Sequence, residues 1–378
     1  MKKLKRKIVI GLNSSWNIVN FRSGLIKSLV EHGYEVIGLA PFDSYSKLLK
    51  SINCRFIPVK IDTKGKNPLI DILLLIKYLC IFSREKPDVY LGYTVKPNVY
   101  GSMAAHLLGI PVINNIAGLG RVFNKKNIIS RIVVFLYRIS LFRSSTVFFQ
   151  NNSDYKDFIN FEIVKKTQSI VLPGSGVDLV KYKPVFRRKQ RQNIIFLLIS
   201  RLLWEKGIKE FFESARILKK TFKDIDFRIL GFTNKNDPQY VPLKQLKQWE
   251  SDGFITYLGE SDDVRVEIEN ADCVVLPTNY KEGTPRVLLE AAAMGKPLIS
   301  TNISGCRDIV KDGENGFLCL PNSPRDLVTS MNKFIQLDQE SRARLGLKSR
   351  KIAEENYDEK LVIKEYLHAI SFCLRAIK

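Results

Sequence analysis

The chain has 378 residues, 45% of them hydrophobic, with 60 Lys and Arg against 38 Asp and Glu for a net charge of +22. Its length exceeds one ordinary core and its composition excludes general disorder, so two globular domains are expected. Six cysteines without a CxxC pair and three scattered histidines argue against a disulfide framework and a structural zinc site, and they fit a reducing compartment.

The first seven residues are basic and resemble the opening of a secretory leader. The apolar run Ile8 to Leu12 is too short for a leader core and reads as a first strand. Further strands are expected at Tyr34–Ala40, Arg55–Val59, Val89–Tyr93, Pro111–Asn115, Thr146–Gln150 and Ser169–Leu172. Helical stretches such as Ser23–Glu31 and Asn98–Leu108 lie between them, so the region 1–185 reads as a parallel sheet covered by helices. A polar loop is expected over Asn13–Asn20, with Arg22 opening the helix after it. Lys96-Pro97-Asn98 follows a strand and starts a helix, an arrangement ready for an anion. Gly118-Leu119-Gly120 forms a turn ahead of Arg121, but the third glycine of a dinucleotide motif is missing. The stretches Leu69–Glu85 and Ile128–Ser144 are strongly apolar with interspersed cations, which suits a membrane interface. No stretch reaches the roughly 18–20 apolar residues of a membrane-crossing helix. Residues 1–185 carry 28 basic and 11 acidic residues. That excess suggests a polyanionic partner such as an anionic membrane surface, a diphosphate-linked substrate or nucleic acid.

A basic, turn-prone linker spans Lys181–Gln192, and the strand–helix pattern then restarts over 186–355. Strands are expected at Ile194–Ser200, Asp226–Leu230, Ile255–Leu258, Cys273–Leu276 and Pro297–Thr301. The last helical region breaks around Tyr357-Asp358, and its final part, 356–378, is expected to pack back toward the first domain. The architecture is therefore α/β, two Rossmann-like doubly wound domains in series, with a cleft between their strand ends.

Two segments of the second half carry chemistry. Ser200-Arg201-Leu202-Leu203-Trp204-Glu205-Lys206-Gly207 runs from a strand into a helix. There the Arg201 fork and the Lys206 point charge can meet a diphosphate. In Thr278 to Glu290, Thr284 is expected as a helix N-cap and Pro285 as the first helical residue. This places Glu282 in a loop and Glu290 inside the helix. His106 reads as a packing residue, and Asp224-Ile225-Asp226 reads as a turn entering a strand rather than a metal motif.

Together, Arg201…Lys206-Gly207, Glu282-x7-Glu290, Leu258-Gly259 and Gly295-Lys296-Pro297 resemble glycosyltransferase family 4, of the GT-B fold. Trp204-Glu205-Lys206-Gly207 and the Gly118 turn are similar to the bacterial α-1,3-N-acetylgalactosaminyltransferases that act on undecaprenyl-diphosphate sugars. The resemblance implies a retaining transfer from a UDP-sugar to a lipid-diphosphate-linked saccharide with no obligatory metal or other cofactor. The enzyme would be peripheral on the cytoplasmic face of the membrane, with no nucleic-acid partner. It further implies that Arg201 and Lys206 hold the diphosphate and Glu290 the ribose. Glu282, with the amides of Gly283 and Thr284, faces the hexose. Whether Glu282 is a nucleophile or a positioning group stays open. Arg22, Lys96, Asn98, Gly118 and Arg121 are the acceptor candidates. The family's first-loop Gly-Gly is replaced by Asn13-Ser14-Ser15. Other readings are a different donor (UDP-Gal, UDP-GlcNAc, UDP-FucNAc or GDP-mannose), a UDP-sugar epimerase on the same fold, or a basic nucleic-acid-binding protein.

Overall fold

The computed structural model describes residues 5–63, 65, 67–118, 128–185 and 193–376. The chain divides into two compact units, Met1–Ser175 with Glu359–Lys378, and Gly176–Asp358. The first boundary falls earlier than the expected 185/186 because the residues just after it belong to the second core. Val177 and Tyr182 are buried there, and the Arg350 guanidinium donates to the carbonyls of Leu179 and Tyr182.

The first unit holds a seven-stranded sheet in the order β3-β2-β1-β4-β5-β6-β7. Its strands are β1 (Lys7–Gly11), β2 (Glu35–Ala40), β3 (Cys54–Pro58), β4 (Val89–Tyr93), β5 (Val112–Ile116), β6 (Thr146–Phe149) and β7 (Ser169–Val171). Every pairing is parallel. Almost all the strand residues of β1, β2, β4, β5 and β6 are buried, as expected for a sheet covered on both faces. The helices are α1 (Ser15–Glu31), α2 (Pro68–Glu85), α3 (Ser102–Leu107), α4 (Ile128–Leu141) and α5 (Asn152–Asn160). One face buries Ile18, Leu25 and Leu29 of α1 against the sheet, together with Tyr366, Ile370 and Cys373 of the last helix, Glu359–Ala376. The opposite face buries Leu74, Tyr78 and Phe82 of α2 and Tyr137 and Leu141 of α4.

Helix α1 begins at Ser15, not at the expected Ser23. Ser14 caps it, accepting from the Asn17 amide at 3.2 Å, and the Asp43 carboxylate accepts from the amides of Ser15 and Trp16. The expected polar loop is thus the first turns of a helix, and Arg22 sits mid-helix. The turn Pro97–Gly101 is π-helical and leads into α3.

The second unit holds a six-stranded parallel sheet in the order β10-β9-β8-β11-β12-β13. Its strands are β8 (Ile194–Ile199), β9 (Ile225–Leu230), β10 (Thr256–Tyr257), β11 (Cys273–Leu276), β12 (Leu298–Thr301) and β13 (Gly316–Cys319). Its helices are α6 (Ile208–Leu218), α7 (Leu243–Ser251), α8 (Arg265–Asn270), α9 (Arg286–Ala293), α10 (Cys306–Ile309), α11 (Pro324–Gln336) and α12 (Gln339–Asn356); the last helix is α13. Phe211 of α6 and Phe334 of α11 fill one face, while Leu288 and Leu289 of α9 and Ile352 of α12 fill the other. In each sheet the strand order reverses once, between β1 and β4 in the first and between β8 and β11 in the second. Ligands of doubly wound sheets bind in the crevice beyond the strand ends at such a reversal.

Candidate functional site

In the second unit the reversal is flanked by the loops that leave β8 and β11. These are the two segments that the sequence singles out, and the structure joins them. Lys206 and Glu282 form an ion pair with each side chain only 11% exposed. The Lys206 ammonium lies 5.1 Å from the centre of the Tyr280 ring. The Thr278 hydroxyl lies 3.3 Å from the Glu282 carboxylate and 3.0 Å from the carbonyl of Glu205, which also accepts from the Asn279 amide at 2.9 Å. The Thr301 hydroxyl in turn donates to the Thr278 carbonyl at 2.5 Å. Both loops are therefore fixed by side chains and backbone together.

Two glycines permit this close approach. Gly207 has φ +79°, and a Cβ on it would lie 2.1 Å from the Pro277 carbonyl oxygen. Gly305 has φ +84°, and a Cβ there would lie 2.4 Å from the Gly283 oxygen and 2.9 Å from the Glu282 oxygen. Arg201, on the same loop as Lys206, is exposed and makes no ion pair among the described residues. The thiol of Cys306 is pushed up to about 12 by burial and by the nearby Glu282 charge, so it is an inert neighbour.

Helix α9 starts one residue later than expected. Pro285 is its N-cap and no side chain caps it. Thr284 is therefore not the cap. Proline at the cap takes an extended ψ of 113° and supplies its carbonyl to the Leu288 amide. Glu290 is 9% exposed and faces Arg286, whose Nε lies 3.1 Å from Oε1. Tyr182 lies beside this carboxylate. Burial raises the Glu290 pKa, and Arg286 opposes that rise.

In the first unit a pocket of about 250 Å³ opens at the β1/β4 reversal, lined by Asn13, Thr94, Lys96, Asn98, Gly118 and Tyr137 among others. Thr94 takes φ +59°, a conformation rare for a β-branched residue, at the end of β4. Of the acceptor candidates, the pocket gathers Lys96, Asn98 and Gly118. Lys96 is not an unpaired cation, because its ammonium lies 2.5 Å from Asp71, which also accepts from the Tyr100 hydroxyl. Asn98 is consumed structurally. It donates to the Asn115 carbonyl and accepts from Asn114, in a buried set that includes Ser102 and Ser144. Arg121 lies outside the described residues.

Arg22 does not line this pocket. It is 6% exposed, its guanidinium carbon sits 4.3 Å from the centre of the Tyr93 ring, and its Nε has no hydrogen-bond partner among the described residues. Tyr366 stacks on Tyr93 and accepts from the Asn115 amide. His106 packs with Nε2 at 2.9 Å from the Ser140 carbonyl, and burial lowers its pKa. Asp226 lies in β9 and pairs with Arg228 at 3.7 Å. Among the described residues no group of three or more acidic, His or Cys side chains is placed to hold a metal ion.

Comparison with known proteins decides the family. The pattern described as "Glycosyl transferases group 1" matches residues 183–352, and "Glycosyl transferase 4-like" matches residues 12–151. The chain belongs to the family 4 glycosyltransferases. It is 27% identical over 367 residues to the N,N'-diacetylbacillosaminyl-diphospho-undecaprenol alpha-1,3-N-acetylgalactosaminyltransferase of Campylobacter jejuni, covering 93% of this chain and 94% of that protein. It is 25% identical to the UDP-Gal:alpha-D-GlcNAc-diphosphoundecaprenol alpha-1,3-galactosyltransferase of Escherichia coli, over 76% of this chain and 75% of that one. Among solved structures, a glycosyltransferase from Rickettsia africae superposes with a TM-score of 0.81 at 17% identity, covering 98% of this chain and 99% of that one. The Anabaena HepE protein in complex with UDP and glucose superposes with 0.80 at 19%, covering 97% and 99%. These likenesses establish the GT-B fold of this glycosyltransferase.

Tyr182, Thr278, Tyr280, Arg286 and Gly305 join the candidate site without being singled out by the sequence. Arg286 was detectable, since it stands four residues before Glu290 on one helix face. Tyr182 and Gly305 carry no local signal, because each reaches the site only through the fold.

Proposed function

We propose that this glycosyltransferase moves an N-acetylhexosamine, GalNAc by preference, from a UDP-sugar to a polyprenyl-diphosphate-linked saccharide, with retention at the anomeric carbon. The observation that carries this reading is the likeness to the Campylobacter transferase over 93% of the chain. The fixed Lys206–Glu282 pair at the second sheet's reversal supports it.

Cleavage of the anomeric bond builds negative charge on the leaving diphosphate and positive charge on the sugar ring. Lys206 and Arg201 meet the first, preorganised so that little rearrangement is needed at the transition state. Glu282 is already engaged by Lys206 and Thr278, an arrangement that suits a group positioning the hexose hydroxyls better than an attacking nucleophile. The amides of Gly283 and Thr284 assist it, and Glu290 takes the ribose hydroxyls. The leaving phosphate accepts the acceptor's proton. In this reading the two cations do the work for which a metal would otherwise serve, and no metal is required.

The acceptor belongs to the first domain, near the pocket of Lys96 and Gly118 and the buried Arg22. The enzyme acts as a peripheral protein on the cytoplasmic membrane face. No helix among the described residues is long and apolar enough to cross a membrane. Helix α2 nevertheless exposes Leu69, Leu73 and Ile76, and α4 exposes Phe135 and Ile139 beside Arg131, with Phe142 and Arg143 exposed just past its end. Apolar side chains flanked by cations suit an anionic lipid surface.

The test is UDP release and product analysis with UDP-GalNAc, UDP-Gal and UDP-GlcNAc on an undecaprenyl-diphosphate-linked acceptor, with and without chelator. An α-linked GalNAc product formed equally in chelator is the expected result. Turnover of UDP-sugar without acceptor, giving an epimer, would replace the reading with epimerase chemistry.

A further inference from the structure

We propose that Arg286 and Tyr182 are positioning residues for the donor, holding the Glu290 carboxylate in place and charged for the vicinal hydroxyls of the nucleotide ribose. The inference rests on the reading of Glu290 as the ribose-binding group.

A carboxylate as buried as Glu290 is disfavoured in its charged form unless it is paired and hydrogen-bonded. The groups facing it are Arg286 from its own helix, and Tyr182 and, farther off, Lys181 from the segment that enters the second unit. Arg286 Nε meets Oε1 at 3.1 Å, and Tyr182 lies beside the same carboxylate. Arg286 is itself held, because its Nη1 donates to the Gly176 carbonyl at 2.9 Å. A guanidinium bonded at two points has little freedom to swing away, so the carboxylate it grips has a fixed direction.

Local propensity argues the same way. Arg286 is the first residue of α9, where the helix dipole favours anions and a cation is out of place. A residue that works against its own helix end is expected to serve something else. The carboxylate that Arg286 meets is Glu290.

The experiment compares binding of UDP and 2′-deoxy-UDP by calorimetry, with steady-state kinetics alongside. In the wild type UDP binds more tightly than its deoxy analogue. In Arg286→Gln the UDP affinity falls about tenfold. The preference over the deoxy analogue collapses, while kcat at saturating donor changes less than about threefold. The loss deepens as pH falls from about 8 to about 5.5, because an unsupported Glu290 takes up a proton. Tyr182→Phe shifts affinity the same way by a smaller factor, and Arg286→Lys restores part of it. If Arg286→Gln does not fold, Tyr182→Phe and Arg286→Lys carry the same comparison. If Glu290→Ala leaves UDP affinity and the deoxy preference unchanged, the ribose reading itself fails. If Glu290→Ala abolishes the preference while Arg286→Gln and Tyr182→Phe keep wild-type affinity, preference and pH profile, the positioning role is overturned and the ribose reading stands.

Discussion

The ammonium of Lys206 grips the carboxylate of Glu282, tying together the loops that leave β8 and β11 where the second sheet reverses its strand order. The charges are nearly shut away from water, so each depends on the other. Removing one partner strands the other, at about 3 kcal/mol. Lys206→Met and Glu282→Leu should each lower thermal stability, and the double substitution should lower it less than the sum. Turnover in a UDP-release assay should fall by at least about a hundredfold in each. Wild-type turnover in either single variant would remove the pair from the reaction.

Gly305 keeps the Glu282–Gly283 loop in place by having no side chain. Gly305→Ala combines a positive φ with a Cβ 2.4 Å from a backbone oxygen, a strain of about 1–3 kcal/mol. The loop is the part that can yield. The expected outcome is a folded enzyme with sharply reduced turnover, checked by circular dichroism beside the UDP assay. Full activity would show that the position of Glu282 tolerates displacement.

Arg22 presents the opposite balance. Its buried guanidinium rests on Tyr93 with an Nε that no described residue partners, which is a stability deficit. Arg22→Met should therefore leave the melting temperature unchanged or raise it by about 2–4 °C. The KM for the lipid-linked acceptor should rise about tenfold, with the donor KM unaltered. A fall in melting temperature without any change in acceptor KM would mark Arg22 as purely structural.

The outer face of α4, with Phe142 just past its end, gives a test of the membrane reading. Phe135→Glu with Phe142→Glu should weaken co-sedimentation with vesicles containing anionic lipid, and added salt should weaken wild-type binding too. Turnover of a short, water-soluble acceptor analogue should stay unchanged. Equal binding of the wild type to neutral vesicles would count against the electrostatic part.

Much of the fold could be read from the sequence because buried parallel strands are short apolar runs, and β1, β4, β8 and β11 each stand between turn-prone residues. The pairing of Lys206 with Glu282 was approachable for the same reason, since both follow strands that a doubly wound order places side by side. Where the reading failed, the deciding partner lay far away in sequence. Nothing near Lys96 announces Asp71, and nothing near Asn98 announces Asn114. The start of α1 was placed too late because its first turn carries polar residues, held by Ser14 and by Asp43 from the next loop. Thr284 was assigned as a cap on residue type alone, and the cap fell instead on Pro285.

Helix α13 lies in the first unit's core although the whole second unit precedes it in the chain. The entry and exit of that second unit run side by side, with the Val177 amide bonded to the Tyr357 carbonyl at 2.7 Å and Val177 bridged to Asp358. The second unit is thus an insertion with adjoining ends. During synthesis its sheet is complete while the first core still lacks Tyr366 and Ile370. The first core is completed only after the second, and it keeps an open apolar face until α13 emerges from the ribosome.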